Sequence, residues 1–224
     1  MIKLIKNPWV VLSFFLFFGL SACIQSGPES DSDSNPCDSI QVDLSLLDLG
    51  QAKNFAAKGV NSNETIAALK DINGVSIADL EAFMRPGADS EAGFLNKDES
   101  LLQLLVNDNT CVLEKLKTTH QELADRIYNF REKNPFDYGT QKINYKGIPY
   151  SVEYGRTKGW QDSPFKDGTT GSEDITIKNL KNGASISFGE LNLNMAYRYG
   201  FYEGKNLAYR LDPVMINKVF PKKS

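Results

Sequence analysis

Acidic side chains on both sides of a glycine-containing loop are the first residues in this sequence that could do chemistry. Asp89 and Glu91 precede the segment 93–95, and Asp98 and Glu99 follow it. Glycoside cleavage uses two carboxyl groups at a fixed separation across a cleft, so these acids are candidate catalytic residues. Asp98 and Glu99 also fall where acids stabilise the first turn of a helix, which is the structural alternative.

The single histidine, His120, is the other catalytic candidate. One histidine excludes any site that needs two and argues against zinc, so we expect no metal and no cofactor. The sequence also lacks the Gly-x-Ser-x-Gly segment that marks a serine nucleophile. His120 directly follows Thr119, which begins a predicted capping box ending at Glu122. In that position the helix dipole disfavours the protonated imidazole, so a structural role is the alternative.

Aromatic residues beside polar ones form the most suggestive pattern in the chain. They lie in a glycine- and proline-rich segment and again near the C-terminus. The predicted ligand groove consists of Trp160, Gln161, Asp162, Phe201, Tyr202, Glu203 and Arg210. Aromatic faces next to hydrogen-bonding side chains suit sugars, peptides or a protein partner. The same residue types build strands and cores in β-rich domains, so packing is the alternative.

Helical signals dominate residues 38–135. Capping residues and apolar spacing predict helices that begin near residues 51, 61, 76, 96 and 119. Glycine, proline or asparagine predicts where most of them end, at Gly59, Gly74, 86–87 and 134–135. These elements would have to position Asp98, Glu99 and His120.

Antiparallel β signals replace the helical ones over residues 136–224. Turns at 146–147 and 181–183 predict two hairpins, the second with the Asn-Gly pair that tight turns favour. The segment 156–171 between them is predicted to be irregular. Helices are predicted before Gly200 and from Asp212 onward. The fold class is therefore α+β, a helical N-terminal half followed by a small antiparallel hairpin and helix half.

The first 22 residues and the cysteine that follows them predict export of the protein and its attachment to a membrane. Lys3 and Lys6 precede a largely apolar run over residues 9–20, which is too short for a spanning helix. The segment Leu20-Ser21-Ala22-Cys23 resembles the lipobox of bacterial lipoproteins. The resemblance implies cleavage before Cys23, acylation of that residue and membrane lipid as a partner in the bacterial envelope, most simply the outer membrane. An ordinary cleaved signal with an unmodified cysteine is the alternative.

Residues 23–37 are predicted to be the lipidated N-terminus and a flexible tether. The stretch 29–34 alternates acids with serine and has little apolar surface to bury. Lipidation would use one of the three cysteines and leave Cys37 and Cys111. An oxidising compartment favours a disulfide between these two, and two reduced thiols are the alternative.

The charge balance argues against nucleic-acid binding. Removal of residues 1–22 leaves 23 basic against 28 acidic residues, whereas nucleic-acid binders usually carry a basic face. We therefore expect a non-catalytic binding or structural role at the cell envelope, with an envelope protein or cell-wall glycan as partner. The alternatives are an envelope hydrolase that cleaves glycan or peptide through paired carboxylates, and an inhibitor or assembly factor for an envelope protein.

Overall fold

Two antiparallel sheets form the β structure of the computed structural model, which describes residues 35–88 and 91–222. The strands in chain order are β1 (Asp71–Ile72), β2 (Val75–Ser76), β3 (Gly139–Tyr145), β4 (Ile148–Asp162), β5 (Thr169–Asn179) and β6 (Ser185–Phe188). The first two strands form a small hairpin, and the other four form a meander in the order β3-β4-β5-β6. Every strand pairs with its sequence neighbour, so the sheets need no crossover.

Helices precede and follow the meander. They are α1 (Asn63–Ala67), α2 (Ile77–Met84), α3 (Leu101–Thr110), α4 (His120–Lys133), α5 (Glu190–Tyr199) and α6 (Pro213–Val219). Side-chain oxygens cap five of the helix starts, at Ser62, Ser76, Ser100, Thr119 and Asp212. Each cap accepts a backbone N–H that would otherwise lack a partner. Helices and antiparallel strands in separate stretches confirm the predicted α+β class.

One face of the meander is buried, as the period-two alternation of its strands requires. The buried positions are Tyr150, Val152, Ile175, Ile177, Ile186 and Phe188. The first core cluster lies where this face meets α4 and α6. The ring of Phe130 on α4 is 5.0 Å from the ring of Tyr150 and 5.3 Å from that of Phe220.

A second core cluster joins α1, α2 and α3 to α5 and to the connection between β4 and β5. Helix α5 serves both clusters, because Leu193 packs in the first and Leu191 and Met195 pack in the second. Residues 38–135 and 136–224 thus share both cores, and residues 35–224 form one compact unit. The change near residue 135 is a change of secondary structure within that unit.

Four predicted elements differ from the structure. Residues 51–58 were predicted to be helical, but the structure has a 3-10 turn at Leu49–Gln51 that is followed by a loop. Helix α1 ends at Ala67, and Asn73 and Gly74, both at positive φ, turn the chain into the β1–β2 hairpin. That turn is the type that an Asn-Gly pair favours, and it overrides the helical spacing around it.

The remaining two differences concern the candidate site. Helix α3 begins at Leu101 with Ser100 as its cap, whereas the sequence predicted a start near residue 96 with the acids at 98–99 in the first turn. The segment 156–171 is mostly strand, because β4 continues to Asp162 and β5 starts at Thr169. Its glycines indicated a loop, but in the structure the neighbouring backbone pairs regularly on both sides of a bulge.

Cys37 and Cys111 form a disulfide with their Cα atoms 5.4 Å apart. Nearby, the side-chain amide of Asn35 donates to Oδ2 of Asp212 at 3.0 Å. The last residues of the predicted tether are therefore tied to the folded body. Residues 1–34 lie outside the described part of the chain, and with them the predicted signal and Cys23. None of the helices in residues 35–88 and 91–222 is long and apolar enough to cross a membrane.

Candidate functional site

The outer ends of β4 and β5 form an arm, residues 156–173, that extends beyond the rest of the meander. Past Tyr154 and Ile175 these two strands pair only with each other. Arg156 pairs with Glu173 and Trp160 pairs with Gly171, so β4 carries extra residues that bulge out of the ladder. A bulge bends its strand and increases the twist, which turns the arm away from the plane of the sheet.

The tip of the arm is pinned to α5 and the residues after it. Phe165 is fully buried and stacks on Tyr199, with ring centroids 4.2 Å apart, and meets Phe201 edge-on at 5.8 Å. Asp167 accepts a hydrogen bond from the Tyr199 hydroxyl at 2.8 Å and pairs with Arg198. The arm is thus fixed at both ends, and its middle faces the body of the protein.

A cleft of about 520 Å³ lies between the arm, the 92–94 loop, the start of α5 and the 203–209 loop. Its size is typical of ligand sites in proteins. Its described lining includes no basic side chain but several carboxyl groups, those of Asp162, Glu173, Asp174, Glu190 and Glu203. The walls therefore present mainly hydrogen-bond acceptors, which favours a ligand rich in hydroxyl or ammonium donors.

Glu203 is the most unusual residue in the cleft, with a side chain that is only 5% exposed. Its backbone adopts a φ of 70°, a left-handed conformation that is rare outside glycine. Oε1 accepts a hydrogen bond from Asn192, whereas Oε2 has no hydrogen-bond partner among the described residues. Burial raises the pKa of the carboxyl to about 8, so it is mainly protonated at neutral pH.

A buried ion pair holds the backbone of Glu203 in place. Arg210 donates to the carbonyl oxygen of Glu203 and forms a bidentate pair with Asp108 on α3 at 2.6 and 3.2 Å. The arginine and aspartate side chains are 10% and 7% exposed. Both charges are shielded from water, so Arg210 needs Asp108 as a partner in order to stay in this position. The pair thereby holds the backbone of Glu203 in its left-handed conformation.

Fixed carboxylates and exposed aromatic rings form the outer wall of the cleft. Glu173 accepts hydrogen bonds from Arg131 at 2.8 Å and from the Tyr154 hydroxyl at 3.1 Å. The Tyr209 hydroxyl donates to Asp174. Trp160 is 76% exposed, and its ring is free to cover a ligand in the cleft. An exposed tryptophan beside fixed acceptors is an arrangement suited to sugar binding.

The structure divides the seven predicted groove residues into two groups. Trp160, Gln161, Asp162 and Glu203 line the cleft. Phe201 and Tyr202 are buried in the two core clusters, and Arg210 supports the cleft from behind. The predicted residues from both segments thus meet at one cavity, although the sequence did not indicate which of the aromatic side chains are buried.

Asp98 and Glu99 do not belong to the described lining of the cleft. Asp98 is exposed, and Asp89 lies outside the described residues. Glu99 accepts the backbone N–H groups of Asn96 and Lys205 at 2.9 and 2.8 Å. It ties two loops together and precedes the cap of α3, so its carboxylate serves structure here.

His120 is partly buried and belongs to a polar network. Its Nε2 lies 3.0 Å from Oδ1 of Asn109, and its Nδ1 lies 2.8 Å from the Tyr202 hydroxyl. The Asn109 amide nitrogen donates to the carbonyl of Asn61, so Oδ1 must accept and the imidazole carries its proton on Nε2. Burial lowers the pKa of His120 to about 4, and the ring stays neutral.

Four cleft residues were missed by sequence reasoning, namely Glu173, Asp174, Glu190 and Asn192. The first two lie in the middle of β5, where the arm joins the rest of the meander. Glu190 and Asn192 lie in the first turn of α5, where an acid and an asparagine are ordinary capping residues. Within the described residues, no three His, Cys, Asp or Glu side chains are grouped so as to hold a metal ion.

No protein-family model matches this chain, and no match to it is found among curated proteins or solved structures. The assignment of a function therefore depends on the cleft itself.

Proposed function

We propose that this protein is a bacterial envelope lipoprotein, anchored through acylated Cys23, that binds a cell-wall saccharide in the cleft without altering it. The observation that carries the proposal is the combination of exposed Trp160 with the buried carboxyl of Glu203 on opposite sides of one cavity. A sugar ring offers an apolar face for the indole and hydroxyl donors for the acceptors opposite.

The polarity of the lining supports this ligand class. The carboxylates of Asp174 and Glu173 are already oriented by Tyr209 and Arg131, so they would bind hydroxyl groups without a large loss of side-chain freedom. Glu203 is protonated near neutral pH and can both donate and accept, which suits a hydroxyl group as well.

Fluorescence titration tests the binding proposal directly. Trp160 is the only tryptophan of the chain after residue 22, so its emission reports on the cleft alone. Soluble cell-wall glycan fragments should shift that emission in a saturable way. Calorimetry on Trp160→Ala should show about tenfold weaker binding, the loss of one aromatic contact. Tyr138→Ala is the matched control, because Tyr138 is 70% exposed and does not line the cleft. Unchanged emission with every fragment would overturn the proposal.

The anchor has its own test. Cys23→Ala should leave an uncut precursor, and Cys37→Ala should leave lipid attachment intact, because Cys23 is the cysteine of the segment that resembles a lipobox. Radiolabelled fatty acid incorporation and membrane fractionation measure both. Normal cutting and retained membrane attachment of the Cys23→Ala protein would contradict lipidation at this position.

A hydrolase that cleaves the bound saccharide is the second candidate function. It is favoured by one observation, the carboxyl of Glu203, which burial keeps protonated in a cleft that also contains Glu190 and Asp174. A general acid near neutral pH needs this property, and a second carboxylate would act as base or nucleophile. Wild-type protein should then release reducing ends from cell-wall glycan, and Glu203→Gln should stop the release. Absence of release by wild-type protein that binds the glycan supports simple binding.

A further inference from the structure

A second cavity of about 420 Å³ adjoins the cleft on the far side of the arm. Thr170 on the arm and Leu191 on α5 line both cavities, so the two meet between these elements. The second cavity continues along α5 past Asn194 to Arg198 and is closed by Tyr128 on α4 and by the loop at Lys58. The two cavities are therefore adjacent, one on each side of the arm.

Hydrogen-bond donors replace acceptors in this second cavity. Asn194 uses Oδ1 to accept the Tyr128 hydroxyl at 2.7 Å, so its amide nitrogen is the group left to donate, and no described residue accepts from it. Thr170 also lines the wall, whereas the hydroxyl of Thr169 already donates to Oδ1 of Asp162 at 2.6 Å. The chemistry of the lining therefore changes from the cleft, with its five carboxyl groups, to the second cavity, where two cationic side chains, an amide and a hydroxyl accompany the single carboxylate of Asp167.

Lys58 supplies the uncompensated charge at this end. Its ammonium lies 5.3 Å from the centroid of the Tyr197 ring, and no acidic group of the described residues forms an ion pair with it. Its backbone has a φ of 60° and its N–H donates to the carbonyl of Arg198 at 2.8 Å, which fixes the loop against α5. The charge of Arg198, in contrast, is neutralised by Asp167.

We propose that the second cavity receives a carboxylate carried by the same saccharide that occupies the cleft, so that the ligand is an elongated acidic oligosaccharide lying beneath the arm. This inference rests on the proposed function. Lys58 would pair with the carboxylate, and the Asn194 amide and the Thr170 hydroxyl would donate to its oxygens. The acceptor-rich cleft would repel a carboxylate, so the charge pattern also sets the direction in which the ligand lies.

Two probes of equal length test the inference. One is a neutral N-acetylglucosamine tetramer, and the other is a tetramer in which alternate sugars carry a lactyl carboxylate. Wild-type protein should bind the acidic probe about fivefold more tightly, the effect of one partly screened ion pair. Lys58→Met should reduce the affinity for the acidic probe to that for the neutral one. Lys53→Met is the matched control, since Lys53 is exposed and lies outside the second cavity. This control should keep the preference.

The junction gives a test of continuity. Thr170→Tyr places a ring between the two cavities and should remove the preference for the acidic tetramer. Equal affinities for the two probes in wild type, or an acidic probe that binds with two molecules per protein, would overturn the inference while leaving saccharide binding in the cleft intact. Failure of both tetramers and of all cell-wall fragments to shift Trp160 emission would instead overturn the proposed function.

Discussion

Asn192 and Glu203 are joined inside the wall of the cleft, where the side-chain amide nitrogen of Asn192 donates to Oε1 of Glu203. The oxygen of the same amide accepts the backbone N–H of Gly189 at 2.8 Å. One buried side chain thereby links the start of α5 to the 203–209 loop, which are two of the elements that line the cleft. The carboxyl of Glu203 is oriented by a group that is itself fixed by its capping role.

Replacement of Asn192 should separate these two roles. Asn192→Ala removes both hydrogen bonds and should lower the free energy of unfolding by about 1–3 kcal/mol. Asn192→Asp keeps an oxygen that accepts from Gly189 but places a second acceptor against Glu203. The variant should therefore lose more free energy of unfolding as the pH rises and both carboxyl groups ionise. Urea unfolding at pH 5 and pH 8 measures the two variants. If the aspartate variant had the same free energy of unfolding as wild type at both pH values, the contact between Asn192 and Glu203 would be contradicted.

Glu203 should make the protein less stable as the pH rises. Its carboxyl has a pKa of about 8 when folded against an ordinary value of 4.5, so the folded state resists its ionisation. The stability present below pH 4.5 is lost progressively as the pH rises toward 8. Between pH 6.5 and 8 the expected loss is about 2 kcal/mol relative to Glu203→Gln, which resembles the protonated acid.

The pH window and the control make this measurement specific. The single histidine still titrates in the unfolded chain near pH 6.5, but it adds the same small slope to wild type and to Glu203→Gln, so the comparison of the two proteins removes it. Urea unfolding at three pH values from 6.5 to 8 gives the free energy for each protein. Asp98→Asn removes an exposed carboxylate and should follow the wild-type profile. Parallel profiles for wild type and Glu203→Gln would show that Glu203 is not buried as described.

His120 should show the opposite dependence. Burial lowers the pKa of its imidazole to about 4 in the folded protein, below its ordinary value of 6.5. Stability that is present above pH 6.5 should therefore be lost as the pH falls toward 4. Because the chain contains one histidine, its NMR signals need no assignment by mutation. We expect no imidazole titration above about pH 5, and a midpoint near 6.5 would contradict the buried network.

Local signals explain which parts of the fold could be predicted from sequence. The capping box at Thr119, the turn at Asn182-Gly183 and the Asp212-Pro213 start each act within a few residues, and the structure contains all three. The arm depends on pairing between residues far apart and on a bulge that shifts its register. Glycines in such a segment give the same local signal as a loop, so the strands were missed.

The candidate site was predicted only in part for a related reason. The residue types of Trp160 and Glu203 made them candidates for ligand binding. Their placement on one cleft, however, depends on Phe165, which anchors the arm to α5. The importance of Glu203 follows from burial and from its contact with Asn192, and neither property has a local sequence signature. The acids at 98–99 matched a chemical pattern, yet Glu99 is occupied by backbone N–H groups.

The ion pair between Asp108 and Arg210 should be costly to break from one side. Asp108→Leu leaves the buried guanidinium of Arg210 with only the more distant carboxylate of Asp212, 4.0 Å away, and should lower the free energy of unfolding by about 3–5 kcal/mol. The double change Asp108→Leu with Arg210→Met removes both charges and should cost less than the sum of the single changes. Urea unfolding of the four proteins in this cycle gives the coupling energy. Additive losses would mean that the two side chains do not stabilise each other.

The disulfide between Cys37 and Cys111 should add stability without shaping the cleft. It closes a loop with a sequence separation of 74, and the chain-entropy model then gives a stabilisation of about 4 kcal/mol. Dithiothreitol should lower the urea midpoint of wild-type protein, and the same reductant should leave the double variant Cys37→Ala with Cys111→Ala unchanged. Because Cys111 packs against Ile40 and Val214, away from the cleft lining, Trp160 titrations should give similar affinities with and without the bond. Two alkylatable thiols in unreduced mature protein would contradict the pairing.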